Sequence, residues 1–384
     1  MSDVTNSGGK VVPQKAGLED IVAATSDICL IDGIEGRLVY RGYDINDIVK
    51  GGASFEEVVY LLWFGKFPNR TQLDEFRRKL AQNRRLPREV VAHLYTIPTY
   101  APPMEALRTA VSELALYDND DTPMGNDKIQ RSCKLLSQIA TIVAFDDRIR
   151  NERDLIQPDP DLSFAANFLY TLTGKVPEDE VVRNLDICLI LHADHELNAS
   201  TFTARVIAAT LSDMYSAVTG AIGALKGPLH GGANEQVMKM LLEIGDPSRV
   251  DGYIQKAFAE KKKIMGFGHR VYKTEDPRAT HLRKMSERMG ERTGIKKYYE
   301  ISRRIEQLVL ADKKLYPNVD FFSASTYFLM GISLDLFTPI FAISRTSGWI
   351  AHILEQYENN RLIRPTAEYT GPTHEQYVPL EERE

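Results

Sequence analysis

The sequence predicts a mainly α-helical protein built from two helical domains, with one short β segment near the N-terminus. Three observations carry that expectation. Helix-start signals alternate with Pro or Gly stops from residue 54 onward, and only Ile28–Tyr43 reads as extended chain. The third is length: 384 residues suit roughly two domains.

Taken in order, residues 1–20 read as a mobile lead-in. In Ile28–Tyr43, Asp32-Gly33 and Glu35-Gly36 are turn signals between short β-branched pieces. Ser54-Phe55-Glu56-Glu57 has the form of a capping box opening a helix over Glu56–Phe64, which Phe67-Pro68 closes. Thr71-Gln72-Leu73-Asp74 starts the next, running to about Asn83. Pro87 suits a first helical position, and Pro98 ends that helix. Met104–Tyr117 follows Pro102-Pro103, and Asn126 opens a long segment to about Arg153. Beyond the loop of Pro158 and Pro160 come Phe164–Thr173 and a helix from Pro177 to Leu191. Ala199–Leu225 is dense in Ala, Ser, Thr and Gly, whose small side chains allow close packing, and it predicts a central buried helix that Gly227-Pro228 breaks. The stretch 233–315 is more charged and shorter-helixed, which predicts a second, smaller domain, before Phe321–Ile343 returns to apolar character. Pro365, Pro372 and Pro379 predict an extended tail.

A net charge of −6 and a pI near 5.9 argue against a general nucleic-acid binder. An anionic substrate then requires cations converging at one place. Cys29, Cys133 and Cys188 are widely spaced without a C-x-x-C, as suits reduced thiols rather than a disulfide framework. No run approaches the ~18 apolar residues of a membrane span. Met1–Lys15 lacks the apolar core of a signal peptide, so a soluble, cytoplasmic protein is expected.

Four clusters at helix ends or breaks carry candidate chemistry. In Met265-Gly266-Phe267-Gly268-His269, two glycines permit close backbone approach beside a histidine, and Arg278 nine residues on supplies a fork suited to a carboxylate. The plain alternative is a surface loop; a dinucleotide-binding turn is disfavoured because Val271 stands where a third glycine is needed. His192-Ala193-Asp194-His195-Glu196 places two histidines on one helix face. A zinc pair there, as in a metallohydrolase, lacks the H-E-x-x-H order and an obvious third ligand, so no metal is assigned. Gly227-Pro228-Leu229-His230-Gly231-Gly232 puts His230 at a helix junction with free backbone amides, a place for an anion or a developing oxyanion or simply a turn. Tyr316-Pro317-Asn318-Val319-Asp320 delivers one carboxylate, which taken singly reads as a helix N-cap. Arg345 and Arg364 sit in otherwise uncharged surroundings, and a buried arginine needs an anion. His93, His281, His352 and His374 receive no role. Together, histidines, arginines and one carboxylate in breaks suggest an anionic pocket for carbon–carbon bond formation at a keto acid.

In these residues the sequence closely resembles the citrate synthase family. The resemblance rests on Gly227–Asn234, Gly266-Phe267-Gly268-His269 through Asp276-Pro277-Arg278, Pro317-Asn318-Val319-Asp320, Ala193–Glu196, Ser344-Arg345 and Ile363-Arg364-Pro365, all in the family's order. It implies a citrate synthase-like two-domain helical fold, a homodimer whose large domain (1–224 and 330–384) and small domain (225–329) close over the site. It also implies the tricarboxylic acid cycle reaction, an acyl transfer in which acetyl-CoA and oxaloacetate give citrate. Carried over by position, Asp320 is the base, His230 hydrogen-bonds the thioester oxygen and His269 the oxaloacetate carbonyl. His195, Arg278, Arg345 and the partner subunit's Arg364 bind oxaloacetate. Lys263, Ile264, Met265 and Gly266 are matched to the adenine, and Lys273 and Lys313 to the phosphates, of coenzyme A. That molecule enters as a substrate thioester, so no resident cofactor is implied. The family's NADH-regulated branch has an additional N-terminal domain for which the lead-in leaves no room, so a simple dimer is expected. In the related 2-methylcitrate synthases, which use propionyl-CoA, the position of His192 tends to be Tyr and that of Asp194 Glu. The sequence here therefore favours acetyl-CoA, with dual specificity open because one methylene changes discrimination by only about 1–3 kcal/mol.

Overall fold

The computed structural model describes residues 16–18, 21–118 and 127–383. The expected lead-in falls almost entirely outside the described residues, as does Asn126 as a helix opener.

The β segment is an antiparallel sheet of β1 (Cys29–Asp32), β2 (Arg37–Tyr40) and β3 (Tyr43–Asp44), in register Cys29↔Tyr40 and Asp32↔Arg37. Its first turn closes as the turn signals predict: Asp32 Oδ1 accepts the amides of Ile34 and Glu35 at 3.0 and 2.9 Å. Everything after it is helical. The first helices are α1 (Ile45–Lys50), α2 (Phe55–Phe64), α3 (Arg70–Gln82), α4 (Arg88–Leu94), α5 (Pro103–Leu114) and α6 (Lys128–Arg150). Next come α7 (Phe164–Thr173), α8 (Asp179–His192), α9 (Ala199–Ala208) and α10 (Met214–Leu225). The chain continues through α11 (Ala233–Ile244), α12 (Val250–Ala259), α13 (Pro277–Thr293), α14 (Lys297–Lys313), α15 (Val319–Leu329) and α16 (Phe337–Glu358).

The Ser54 capping box opens α2, with Ser54 Oγ accepting from Glu57 N and the Glu57 carboxylate accepting from Ser54 N. α3 starts earlier than expected, because Asn69 and Gln72 form a second capping box. Pro87 occupies the N-cap position of α4, and that helix stops at Leu94, before Pro98. Asp127 caps α6. The expected single helix over 199–225 is two: the chain turns at Leu211, whose φ is +63°, and Asp213 caps α10 by accepting from Ser216 N. The small residues serve the packing between these two helices. A Cβ on Gly220 would collide with the Ile207 side chain of α9.

The helix with the least solvent contact is α16, buried without interruption from Phe337 to Leu354. It packs against α2, α6, α8, α9 and α10. Helices α11 to α15 pack chiefly among themselves, through the pairs α13–α15, α11–α15 and α12–α14. After α16 the tail is exposed and carries neither α-helix nor strand, ending in a 3-10 turn at Leu380–Glu382. No helix among the described residues is long and apolar enough to cross a membrane.

Candidate active site

Two loops are zipped together to present a histidine and a carboxylate to one cavity. Phe267 and Pro317 form an antiparallel bridge. Around it, Gly268 N donates to Tyr316 O at 2.9 Å, Asn318 N to Gly266 O at 2.9 Å, and Asn318 Nδ2 to Gly268 O at 3.0 Å. Gly266 has φ +82°, and a Cβ there would lie 2.8 Å from Val237 Cγ2 and 2.9 Å from Phe321 Cβ, so only glycine fits. Asn318, not Asp320, caps α15. The Asp320 carboxyl in the first turn is thereby left free of capping and faces a cavity of about 740 Å3.

That cavity is also lined by His195, His230, His269, Arg278, Arg345 and Lys263. A larger cleft of about 900 Å3 lies elsewhere, between residues 23–27 and the start of the tail, and holds none of these groups. The chemistry, not the volume, singles out the smaller one.

Each histidine is kept neutral. His269 Nδ1 accepts the amides of Val271 and Tyr272 at 3.0 and 3.1 Å, so the ring proton sits on Nε2. Burial, reinforced by the charge of Arg278, pushes its pKa down to about 4. His230 Nε2 lies 2.8 Å from Ser200 Oγ, and the Ser200 amide reaches it at 3.3 Å. An amide only donates, so Nε2 accepts and the proton resides on Nδ1. Burial again, then Arg345, lowers His230 to about 4. His195 packs against His269 and Tyr272, ring centroids 5.2 and 5.7 Å apart, with Nε2 buried and without a hydrogen-bond partner among the described residues. Burial and the neighbouring cation Arg278 hold it well below the ordinary value.

The cations differ in how much of their charge is already engaged. Asp276 caps α13 and takes Nε and Nη2 of Arg278 at 2.9 and 2.7 Å, so half of this fork is spent on orienting it. Arg345 is 1% exposed, donates Nε to His192 O at 2.7 Å and stacks on Phe341, centroid 4.8 Å away. Among the described residues no carboxylate forms a salt bridge with it, though the charge of the nearby Asp194 partly offsets the cost of burying this cation beside the cavity. Asp320 is raised to about 6, by burial first, with Arg278 and Arg345 opposing it.

Other predicted residues lie apart. Arg364 is exposed on the tail and does not line the cavity. Ile264 and Gly266 are buried and Met265 is half-buried. Lys273 lines a neighbouring cavity of about 240 Å3 that shares Gly268 and His269 with the main one. Lys313 turns onto the Phe258 ring and pairs with Asp312 at 2.9 Å; the next residue, Lys314, lines the small cavity instead. α8 ends at His192, so His192 and His195 do not share a helix face as expected; His192 Nδ1 donates to Cys188 O at 2.8 Å and its ring packs on Phe341. Among the described residues no three His, Cys, Asp or Glu side chains converge to hold a metal. The sequence reading missed Ser200, Asp276 as the orienter of Arg278, and Phe341. Of these, only Asp276-Pro277-Arg278 carried a local signal, an Asp N-cap before Pro with a cation at the next helical position.

The family described as citrate synthase, C-terminal domain, matches residues 17–366. The chain is 54% identical over 370 residues to citrate synthase 2 of Bacillus subtilis (strain 168), covering 96% of this chain and 98% of that one. It is 47% identical over 376 residues to the citrate synthase of Haloferax volcanii, covering 96% and 99%. To 2-methylcitrate synthase 1 of Corynebacterium glutamicum it is 40% identical over 375 residues, covering 96% and 98%. Among solved structures, citrate synthase from Thermotoga maritima MSB8 superposes with a TM-score of 0.86 at 42% identity, covering 96% and 99%. The ternary complex of carboxymethyl coenzyme A and oxaloacetate with citrate synthase from Thermoplasma acidophilum gives 0.91 at 35% identity, covering 96% and 98%. Likeness in sequence and in the two-domain helical architecture thus extends over nearly all of the chain that holds this cavity, and the protein belongs to the citrate synthase family.

Proposed function

We propose that this protein condenses acetyl-CoA with oxaloacetate and water to give citrate and coenzyme A. The observation that carries this reading is one cavity lined both by a carboxyl raised to about 6 and by a histidine whose ring proton is on Nε2. Asp320 removes a proton from the acetyl methyl group. An ordinary aspartate, near 3.9, is a weak base for carbon, and raising it toward the working pH improves the match. Negative charge developing on the thioester oxygen is met by the Nδ1–H of His230, where one preorganised donor is worth roughly 10²–10³ in rate. The enolate carbon attacks the keto carbon of oxaloacetate, whose oxygen accepts a hydrogen bond from the Nε2–H of His269 and, as it becomes a hydroxyl, ends with the equivalent of the proton that Asp320 took. Arg345, Arg278 and His195 hold the carboxylates, and water then cleaves the citryl thioester, releasing the thiol.

Oxaloacetate and the thioester must be enclosed before the base acts, because water would otherwise quench the enolate. The division into 1–224 and 330–384 on one side and 225–329 on the other suits that need, since the cavity draws His195 and Arg345 from the former and His230, His269 and Asp320 from the latter. Arg364, exposed on its own chain, is donated to the partner's site in a homodimer. Lys263–Gly266, Lys273 and Lys313 are the positions matched to coenzyme A, with Lys314 better turned toward the small cavity than Lys313. A second acyl donor, propionyl-CoA, is raised by the likeness to 2-methylcitrate synthases. The test is release of free thiol from acetyl-CoA and from propionyl-CoA with oxaloacetate. A higher kcat/KM for acetyl-CoA supports the reading, and a higher one for propionyl-CoA replaces it with 2-methylcitrate synthesis.

A further inference from the structure

His352 lies on α16, fully buried and outside the cavity. Its two ring nitrogens face different partners. Nδ1 is 3.1 Å from Nη1 of Arg205, which also pairs with Glu355, while Arg205 Nε donates to Gln356 at 3.1 Å. A guanidinium only donates, so Nδ1 must accept and the ring proton must sit on Nε2. Asp194 Oδ1 lies 3.4 Å from that nitrogen. Both atoms are buried and neither makes a hydrogen bond among the described residues, so each is the other's nearest polar counterpart. Asp194 remains ionised: burial would raise it, but the neighbouring His352 and Arg345 outweigh burial and keep it below its ordinary value.

The carboxylate of Asp194 shapes the turn that presents His195. Its Oδ2 accepts the Glu196 amide at 3.0 Å, holding Glu196 at φ +53° immediately after His195. Tyr40 Oη donates to Asp194 O at 3.0 Å, Arg345 holds His192 O, and Gly348 N donates to Ala193 O at 3.1 Å. A Cβ on Gly348 would collide with Asp194 and Ala193 O, so α16 approaches this turn as closely as a helix can. One side of the Asp194 carboxylate thus fixes the backbone beside His195, and the other side abuts His352.

We propose that His352 is a positioning residue for oxaloacetate binding: with its tautomer set by Arg205, it orients the Asp194 carboxylate that holds the His195 turn. The proposal rests on the reading of His195 as an oxaloacetate contact. Two isosteric substitutions separate the halves of the imidazole. In His352→Asn the carboxamide oxygen replaces Nδ1, keeping an acceptor for Arg205 but losing the donor to Asp194. In His352→Gln the longer amide brings an N–H toward Asp194 and loses the Nδ1 acceptor.

Oxaloacetate binding is measured by titration calorimetry without thioester, alongside kcat and KM for both substrates. His352→Asn should raise the oxaloacetate Kd and KM about tenfold, the size of one lost polar contact, with the thioester KM changed by less than about twofold. His352→Gln should stay within about threefold of the parent. Asp194→Asn should weaken oxaloacetate as His352→Asn does, and the double variant should be no worse than either single one. Equal losses in His352→Asn and His352→Gln would overturn the proposal, as would an unchanged Kd in His352→Asn or additive losses in the double variant. If His352→Asn does not fold, Asp194→Asn against His352→Gln makes the same comparison. A parent protein that binds no oxaloacetate would instead refute the proposed function, and that is seen before any variant is compared.

Discussion

Replacing Asp320 with Asn separates what the carboxylate does for catalysis from what its burial does to the fold. The folded carboxyl holds its proton up to about pH 6, against 3.8 for the ordinary group. A gap of roughly two pH units corresponds to about 3 kcal/mol at most, and solvent on the partly exposed side reduces this to about 1–3 kcal/mol. The sign follows from linkage: a raised acid favours the protonated folded state, so ionisation costs nothing below about pH 4. The cost grows as pH rises through about 4 to 6, and is full above that. Asp320→Asn should therefore raise the melting temperature at pH 8 and leave it nearly unchanged at pH 4. Turnover should fall at least ~10²-fold, as for loss of a general base, while calorimetry still shows oxaloacetate binding. In the parent, kcat/KM should climb with pH through about 6, since His230 and His269, near 4, stay neutral over that range. An unchanged kcat would remove Asp320 from the chemistry. A melting offset equal at pH 4 and pH 8 would show that its ionisation carries no strain.

His269→Ala should weaken oxaloacetate binding and turnover together, whereas His230→Ala should act mainly on turnover; titration calorimetry beside steady-state kinetics distinguishes them. Gly266→Ala should strain the zipped loops by about 1–3 kcal/mol and lower kcat, read by thermal melting and thiol release, because its Cβ meets Val237 and Phe321 at positive φ. Mixed dimers of Arg364→Ala and Asp320→Asn subunits should regain up to about half of parental activity per mixed pair, because one site then carries both lesions and the other none. No recovery in verified mixed dimers would assign Arg364 to its own subunit.

Signals confined to a few neighbouring residues were legible in the sequence. The Ser54–Glu57 box, the turns of the β segment and the Phe164–Thr173 helix follow from local chemistry, and each stands where its residues predict. The split between α9 and α10 was missed because neither Gly nor Pro marks it, although Asp213 three residues before Ser216 is an N-cap pattern. The site's motifs were legible as breaks rich in His and Arg, but their mutual arrangement was not. Asp320 escapes the N-cap role only because Asn318 fills it two residues earlier. Arg278 meets Asp276 within one turn, whereas Arg345 meets the His192 carbonyl from 153 residues away, a separation no local pattern encodes. His352 looked ordinary for the same reason, since both its partners lie about 150 residues upstream.

The uninterrupted burial of α16 has a consequence for how the sequence can drift. A helix at a surface has an outward stripe where substitutions come and go freely, so tolerance along it rises and falls with the 3.6-residue turn. From Phe337 to Leu354 that stripe is missing. Ser344, Ser347 and Gly348 meet α8 and the turn after it from one face, while Trp349, about 100° further round the helix, reaches Ser200 under His230. Constraint along this element is consequently continuous rather than periodic, and divergence has to enter through its neighbours. A change in any one of the helices around it must be accommodated on that helix's own far side.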